Sequence, residues 1–190
     1  MPSVAKIYTR KGDDGTTGLL FGGRVPKDSP AIEANGAVDE AQAIIGLARA
    51  ESGAGELNEL LVGIERDLWV LMAEVATAPT NRRKLEPGRT QVTAAMITAL
   101  EATVDVLSGR FEMPVEFVVP GQNRVSATLD VARTVVRRAE RLIVAGAASS
   151  TEGASLVGPY LNRLSDLLWA MARWQEGEHH LLSKKLPSEP

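Results

Sequence analysis

The 190-residue sequence contains no cysteine, which excludes disulfides, cysteine-ligated metals and thiol catalysis. Aromatic residues make up only 4% of the chain, and no apolar run approaches the roughly 20 residues that a membrane-spanning helix needs. The formal net charge of −3 argues against general nucleic-acid binding. No apolar signal segment follows the first lysine. We therefore expect a cytoplasmic protein that binds neither nucleic acid nor membrane.

The composition is otherwise that of a globular protein, with 44% hydrophobic and 24% charged residues. The length fits one domain with a sizeable core. We predict a single domain over residues 1–190. It comprises a glycine-rich head over 1–30, a helical bundle over 31–177, and a tail over 178–190 that lacks periodicity and should fray.

Apolar residues recur three and four positions apart after residue 30, which is the spacing of amphipathic helices. Strand signals are weak and confined to the head and to the segment around Phe117. The pattern therefore predicts an all-α, five-helix bundle. The predicted helices cover residues 32–50, 56–76, 92–107, 123–147 and 159–177.

The fourth predicted helix carries an arginine-rich face within "NRVSATLDVARTVVRRAERLIVAG". Helical spacing places Asp130, Arg133, Arg137, Glu140 and Arg141 on one side, with Arg138 beside them. One interpretation is a solvated face laced by ion pairs. Four arginines within nine positions, with no lysine among them, fit bidentate binding of phosphate oxygens better.

The head reads "KIYTRKGDDGTTGLLFGGRVPK". It lacks the lysine-serine or lysine-threonine ending of a P-loop and fits neither the dinucleotide-binding nor the calcium-loop pattern. It could be a mobile arm. Alternatively, its glycines let successive backbone N–H groups point at one anion, with further donors around it. The candidate donors are Arg10, Lys11, Thr16, Thr17 and Lys27.

Two other residues leave alternatives open. Asn162, in the middle of the fifth helix, is either a solvent-facing residue or helix-helix hydrogen-bonding partner, or a functional group. Asp39 is either a charge near a helix start or the partner of an arginine on another helix.

Both histidines, His179 and His180, fall in the predicted tail. We therefore expect no histidine to serve the folded core as base, nucleophile or metal ligand, so that a nucleotide reaction would depend on positioning and charge neutralisation.

Taken together, these blocks resemble the PduO-type ATP:cob(I)alamin adenosyltransferases over almost the whole chain. The blocks are the head, "VDEAQAIIGLA" in the first helix, "FVVPG" before the fourth, "RTVVRRAER" within it and "YLNRLSDLLWAMAR" in the fifth. The resemblance implies a five-helix bundle that forms a homotrimer, with ATP bound between neighbouring subunits and Mg²⁺ helping to offset its charge. It further implies transfer of the 5′-deoxyadenosyl group of ATP to the cobalt of cob(I)alamin, with release of triphosphate.

The resemblance also assigns roles to individual residues. Arg133 and Asp39 match a pair that links two subunits, and Phe117 matches an aromatic residue that helps exclude the lower ligand of the corrinoid. With Arg137, these three are the expected catalytic residues. Departures at Arg10, Lys11 and Gln122 leave individual contacts open. The expected ATP-binding residues are Thr9, Arg10, Lys11, Gly12, Thr17, Gly18 and Lys27 in the head, Arg137, Arg138, Ala139, Glu140 and Arg141 in the fourth helix, and Asn162.

The implied reaction needs no protein nucleophile, because reduced cobalt attacks the ribose carbon of ATP. A flavin-type reductant and an adenosylcobalamin-dependent enzyme that accepts the product are the implied partners. Two other hypotheses remain at this point. The chain could be a trimeric nucleotide sensor or adenosylcobalamin chaperone with little turnover, or a helical interaction protein whose arginine face is solvated.

Overall fold

The computed structural model describes residues 7–147, 155–178 and 180–184. Over these residues all five predicted helices are confirmed, each with both ends within two residues of the prediction. No helix in the described ranges is long and apolar enough to cross a membrane. The elements are β1 (Thr16–Gly18), β2 (Arg24–Pro26), α1 (Pro30–Ser52), α2 (Glu56–Val75), a 3₁₀ helix (Pro79–Lys84), α3 (Ala94–Ser108), α4 (Arg124–Ala147) and α5 (Val157–Glu176).

The helix ends follow from local chemistry. Helix α1 begins at Pro30. Proline is favoured at this position because the N–H that it lacks would have no partner within the first turn of the helix. Helix α3 begins after Thr93, whose hydroxyl accepts a hydrogen bond from Met96 N at 3.3 Å. Helices α1 and α5 end at Gly53 and Gly177, which have positive φ angles of 69° and 82° that glycine adopts without strain.

The core lies where α4 is sandwiched between α1 and α5. Helix α2 packs against α1, and α3 packs against α5. Alanines are buried on both α1 and α4, which lets these two helices approach closely. Helix α4 is therefore held on two sides, and its arginine-rich face is carried by a rigid element. The buried alanines are Ala34, Ala37, Ala41 and Ala48 on α1, and Ala132 and Ala139 on α4.

The head is anchored to the end of α2. Leu20 N donates to Ala76 O at 2.9 Å, and Asn81 Nδ2, in the 3₁₀ helix, donates to Phe21 O at 3.3 Å. The two strands pair in antiparallel register, with Thr17 opposite Val25. The head is thus a small hairpin attached to one end of the bundle.

A buried carboxylate organises the same end of the bundle. The side chain of Glu74, only 2% exposed, accepts hydrogen bonds from Val92 N at 2.7 Å and from Ser155 Oγ at 2.7 Å. Arg82 Nη2 lies 3.2 Å from the same group. Glu74 therefore joins α2 to the 3₁₀ helix and to the segments that precede α3 and α5.

The predicted frayed tail is wrong for residues 180–184, because these residues pair with the connection before α4. Val119 N donates to Leu181 O, and Ser183 N donates to Phe117 O, both at 2.7 Å. Two main-chain hydrogen bonds thus hold the segment against the body. Residues 1–6 of the head, and 179 and 185–190 of the tail, lie outside the described residues.

The prediction that both histidines fall in a frayed tail is wrong for His180. Its side chain is only 4% exposed, and Nδ1 lies 3.0 Å from Glu176 Oε2. The ring meets Phe111 edge to face, with 5.9 Å between centroids. A buried carboxylate and an aromatic ring, neither of which the tail sequence reveals, together hold His180 in the core.

Removal of the Glu74 carboxylate should destabilise the fold. Glu74→Ala leaves the buried N–H of Val92 without an acceptor, which should lower the free energy of unfolding by about 3 kcal/mol. Glu86→Ala is the matched control, because Glu86 forms an exposed pair with Arg89 that is worth less than about 1 kcal/mol. Urea unfolding followed by circular dichroism at one protein concentration measures both. Equal losses would contradict the role of Glu74.

Candidate functional site

The head hairpin contains a loop over residues 10–16 that is braced from within. Arg24, on β2, donates from Nε to Thr16 Oγ1 at 2.9 Å and from Nη2 to the backbone oxygen of Lys11. Its Nη2 also lies 3.5 Å from Asp14 Oδ1. Arg24 therefore braces the loop at both ends.

Asp14 completes this brace. Its Oδ1 accepts from Thr16 N at 2.9 Å and from Thr16 Oγ1 at 2.8 Å. These two hydrogen bonds, with the nearby charge of Arg24, lower the pKa of the Asp14 carboxyl below its usual value. The negative charge of Asp14 is thus committed to the loop at neutral pH. The brace would weaken only as the pH falls through this lowered pKa.

Lys27 brings a positive charge over the loop. Lys27 N donates to Gly15 O at 2.9 Å, and a Cβ atom placed on Gly12 would lie 3.2 Å from Lys27 Nζ and 3.2 Å from Thr16 O. A side chain at residue 12 would therefore crowd the ammonium group, and glycine leaves room for it against the backbone. The structure brings Gly12 and Lys27 together, as the proposed ATP-binding head requires.

The other predicted head residues surround this loop. Arg10 has a positive φ of 60°, and its guanidinium lies 5.5 Å from the centroid of the Tyr8 ring. Thr9 Oγ1 accepts from Lys11 N at 3.5 Å. Arg10 and Lys11 are exposed. Thr17 and Gly18 lie on β1, and a Cβ atom on Gly18 would meet nothing within 4 Å.

The arginine-rich face of α4 is divided between paired and unpaired side chains. Arg137 and Arg141 are exposed, and within the described part of the chain their guanidinium groups take part in no hydrogen bond or ion pair. Arg138 instead pairs with Glu40 of α1. Ala139 is fully buried and anchors the face to the core. These two unpaired arginines are available to an anionic ligand.

Asn162 joins the fifth helix to the arginine helix, and its predicted contact with ATP stays a prediction. Its Nδ2 donates to Glu140 Oε1 at 2.8 Å, joining α5 to α4. Arg163, its neighbour on α5, donates to Asn162 Oδ1. Asn162 therefore makes a hydrogen bond between helices, and the bond places it beside the face that carries Arg137 and Arg141.

The head and the arginine helix do not meet within one chain. Among the described residues, no hydrogen bond or ion pair joins residues 7–27 to α4. Asp39 is exposed, and Arg133 pairs with Asp130 of its own helix at 3.2 Å. The link between Arg133 and Asp39 of another subunit stays a prediction.

Phe117 lies on the connection between α3 and α4, and its side chain is 85% exposed. Its backbone is nevertheless held by the hydrogen bond from Ser183. Met113 and Val115 of the same connection are exposed too. Phe117 thus presents an aromatic ring to the outside from a fixed backbone, among other exposed apolar side chains.

Sequence reasoning missed Arg24 and His180. Arg24 stands opposite Gly18 in the register of the hairpin. The β-branched residues Thr16, Thr17 and Val25 were the available signal for a strand pair that brings Arg24 back to the loop. His180 had no such signal, because its partners are distant in sequence.

Comparison with known proteins gives a consistent assignment. The family model described as "Cobalamin adenosyltransferase" matches residues 7–175. A corrinoid adenosyltransferase of Citrobacter freundii is 39% identical over 171 residues, which cover 90% of this chain and 95% of the relative. The corrinoid adenosyltransferase PduO of Salmonella typhimurium is 36% identical over 92% of this chain, which spans 51% of that longer relative.

Solved structures agree with the sequence comparison. A variant of the PduO-type ATP:corrinoid adenosyltransferase from Lactobacillus reuteri, complexed with cobalamin and ATP, superposes with a TM-score of 0.82 at 27% identity. The superposition covers 95% of this chain and 100% of that chain. The helical order, the head hairpin and the arginine-rich helix thus accompany a family match over most of the sequence. This chain belongs to the cobalamin adenosyltransferase family.

Proposed function

We propose that this protein transfers the 5′-deoxyadenosyl group of ATP to the cobalt of reduced cobalamin, releasing triphosphate. The observation that carries the proposal is the pair of exposed, unpaired arginines on α4, Arg137 and Arg141. They occur in a chain of this family, and the Lactobacillus reuteri relative has been solved with cobalamin and ATP. Two free guanidinium groups one helical turn apart suit a polyphosphate.

The head supplies the other half of the proposed ATP site. Lys27, next to Gly12, places an ammonium group over a loop whose backbone is already braced by Arg24. A loop held in this way loses little conformational freedom when it binds an anion. Thr9, Arg10, Lys11, Thr17 and Gly18 surround the same loop and are proposed to contact the nucleotide.

The two halves belong to different protomers in this proposal. Within one chain the head is attached to the end of α2, and no described hydrogen bond or ion pair links it to α4. A closed ring of identical subunits lets the head of one subunit meet the arginine helix of the next. We therefore propose a homotrimer, the assembly that the family resemblance implies, with one ATP site at each interface.

The chemistry needs no acid or base from the protein. The electron pair of cobalt(I) forms the new bond to the ribose 5′-carbon, while the bond from that carbon to oxygen breaks and triphosphate leaves with its electrons. The protein must hold the reacting atoms in line and stabilise the charge that develops on the leaving group. Arg137, Arg141 and Lys27 are positioned for the second task. His180, the one histidine among the described residues, is engaged by Glu176.

We propose that Mg²⁺ arrives at this site with the nucleotide. Among the described residues, no three histidine, cysteine, aspartate or glutamate side chains form a metal-binding group. Mg²⁺ is commonly bound by substrate phosphates, water and one or two carboxylates, and Glu140, which Asn162 orients, is the site carboxylate that would complete such a set. Bound there, Mg²⁺ would offset negative charge on the triphosphate.

Phe117 is proposed to act on the corrinoid side. Its exposed ring, on a backbone held by Ser183, would occupy the space of the lower axial ligand of cobalt. Loss of that ligand makes cobalt(II) easier to reduce, so that a flavin-type donor can supply cobalt(I). The exposed side chains of Met113 and Val115 would extend the apolar surface under the corrin ring.

The proposed reaction is tested directly by its products. The protein is incubated with ATP, Mg²⁺ and chemically reduced cobalamin, and adenosylcobalamin is followed by its absorbance while the phosphate product is separated by ion exchange. We expect adenosylcobalamin and triphosphate in equal amounts. Orthophosphate or pyrophosphate without a cobalt–carbon bond would refute the proposal. Binding of both ligands without product in a single-turnover experiment would indicate a sensor or chaperone instead.

Arg137→Ala should lower kcat/KM for adenosyl transfer by about 100-fold, because it removes charge-assisted hydrogen bonds to the nucleotide. The helical circular dichroism signal should be unchanged, since the side chain is exposed. Arg66→Ala is the matched control. Arg66 is likewise an exposed arginine within a helix and has no partner among the described residues. A similar loss in both variants, or parallel loss of fold and activity, would count against the role of Arg137.

Phe117→Ala should impair transfer that starts from cob(II)alamin and a reduced flavin at least about 10-fold more than transfer that starts from cob(I)alamin. Val115→Ala, from the same connection and 78% exposed, controls for a general loss of apolar surface and should affect the two assays alike. The two rates are measured side by side for each variant. If Phe117→Ala lowered both rates equally, the assigned role of Phe117 would be wrong.

A further inference from the structure

A line of alternating charges runs from the arginine face of α4 into the core. Asp130 Oδ1 lies 3.2 Å from Arg133 Nε, and Asp130 Oδ2 lies 2.6 Å from Arg173 Nη2 on α5. One carboxylate is therefore shared by two guanidinium groups. Arg133 is 27% exposed at its side chain, whereas Asp130 and Arg173 are 6% and 1% exposed.

The buried end of this line is firmly held. Arg173 also pairs with Glu176, with Nε 2.9 Å from Oε2, and its guanidinium lies 5.6 Å from the centroid of the Trp169 ring. Buried ion pairs hold their geometry because a displaced charge would be left without a partner. Asp130 Oδ2 is thus fixed by a residue that cannot itself move away, and Oδ1 is left facing Arg133.

Asp130 holds the guanidinium group of Arg133 by one nitrogen, Nε. Among the described residues, no hydrogen bond or ion pair engages the two terminal nitrogens of Arg133. Arg133 and Arg137 are four residues apart and so lie on the same side of α4. The terminal N–H groups of Arg133 are therefore available to an acceptor outside the chain, beside the unpaired Arg137.

We propose that Asp130, held by Arg173, is a positioning residue that directs Arg133 toward the site at the subunit interface. The inference rests on the proposed function, because it gives Arg133 a task in nucleotide transfer. Asp130 touches neither substrate and acts only through Arg133. Since Asp130 engages Arg133 only at Nε, Arg133 is oriented while its terminal N–H groups stay available.

A double-mutant cycle tests this role. Asp130→Asn keeps the shape of the side chain but removes its charge, and it should lower kcat/KM for adenosyl transfer about 10-fold through loss of alignment. In an Arg133→Met background the same change should have no further effect on kcat/KM. Equal effects of Asp130→Asn in both backgrounds would overturn the proposal, because they would show that Asp130 acts through the fold alone.

Glu176→Gln is the matched structural control. It removes the other carboxylate of Arg173 and leaves the contact between Asp130 and Arg133 in place. Glu176→Gln and Asp130→Asn should both lower the thermal unfolding midpoint, because each removes a carboxylate that pairs with the buried Arg173. However, the effect of Glu176→Gln on kcat/KM should be the same with arginine or methionine at position 133. Coupling between Glu176 and Arg133 as large as that between Asp130 and Arg133 would overturn the specific assignment to Asp130.

A spectroscopic readout separates this inference from the proposed reaction. The ¹⁵N–¹H signal of Arg133 Nε, assigned by its loss in Arg133→Lys, should exchange slowly with solvent in the wild-type protein and in Glu176→Gln. It should exchange at least about 10-fold faster in Asp130→Asn, which removes the charged acceptor. Unchanged exchange in Asp130→Asn would refute the inference even if the protein makes adenosylcobalamin. Slow exchange lost only in Asp130→Asn would support it even if the proposed reaction failed.

Arg133→Lys provides a further test if Asp130→Asn does not fold. The position is partly exposed, and lysine keeps the positive charge but lacks the Nε donor that Asp130 orients. We expect a loss of kcat/KM of about 10-fold, as for Asp130→Asn. An Arg133→Lys protein with wild-type kcat/KM would overturn the proposal.

Discussion

The rest of the structure depends on the ion pairs that the buried guanidinium of Arg173 makes with Asp130 and Glu176. The guanidinium group joins α5 to α4 through Asp130, and through Glu176 it reaches His180 at the start of the segment that pairs with the connection before α4. A charge in the core persists only where carboxylates compensate it. That requirement fixes the register of α4 against α5, and with it the direction of the arginine face.

The proposed function needs this rigidity because the protein does little of the chemistry itself. In the proposed reaction, reduced cobalt would be the nucleophile and triphosphate the leaving group, so catalysis would depend on alignment and on fixed positive charge. Unpaired arginines on a helix packed on two sides suit the second need. The head also provides a fixed positive charge. Its hairpin loop is braced by Arg24 and Asp14, and the ammonium group of Lys27 lies beside Gly12.

The helices could be predicted closely because each has a regular apolar face and ends at proline or glycine signals. Asn162 could be placed near the arginine helix only by resemblance, since its hydrogen bond to Glu140 joins residues distant in sequence. His180 and Arg24 were missed for related reasons. The burial of His180 depends on Glu176 and Phe111, and the brace of Arg24 depends on a two-strand register that short strands barely signal. Local periodicity predicts elements, whereas these contacts arise from how the elements meet.

In the proposed homotrimer, each ATP site combines the head of one protomer with the arginine helix of another. Lys27→Ala and Arg137→Ala proteins are co-expressed with different tags, and mixed trimers are purified by both tags. Each parent should be nearly inactive. The mixed trimers should regain activity corresponding to about one third of their sites, because one interface in each trimer joins two intact halves. Mixed trimers that stay as inactive as their parents would contradict the account.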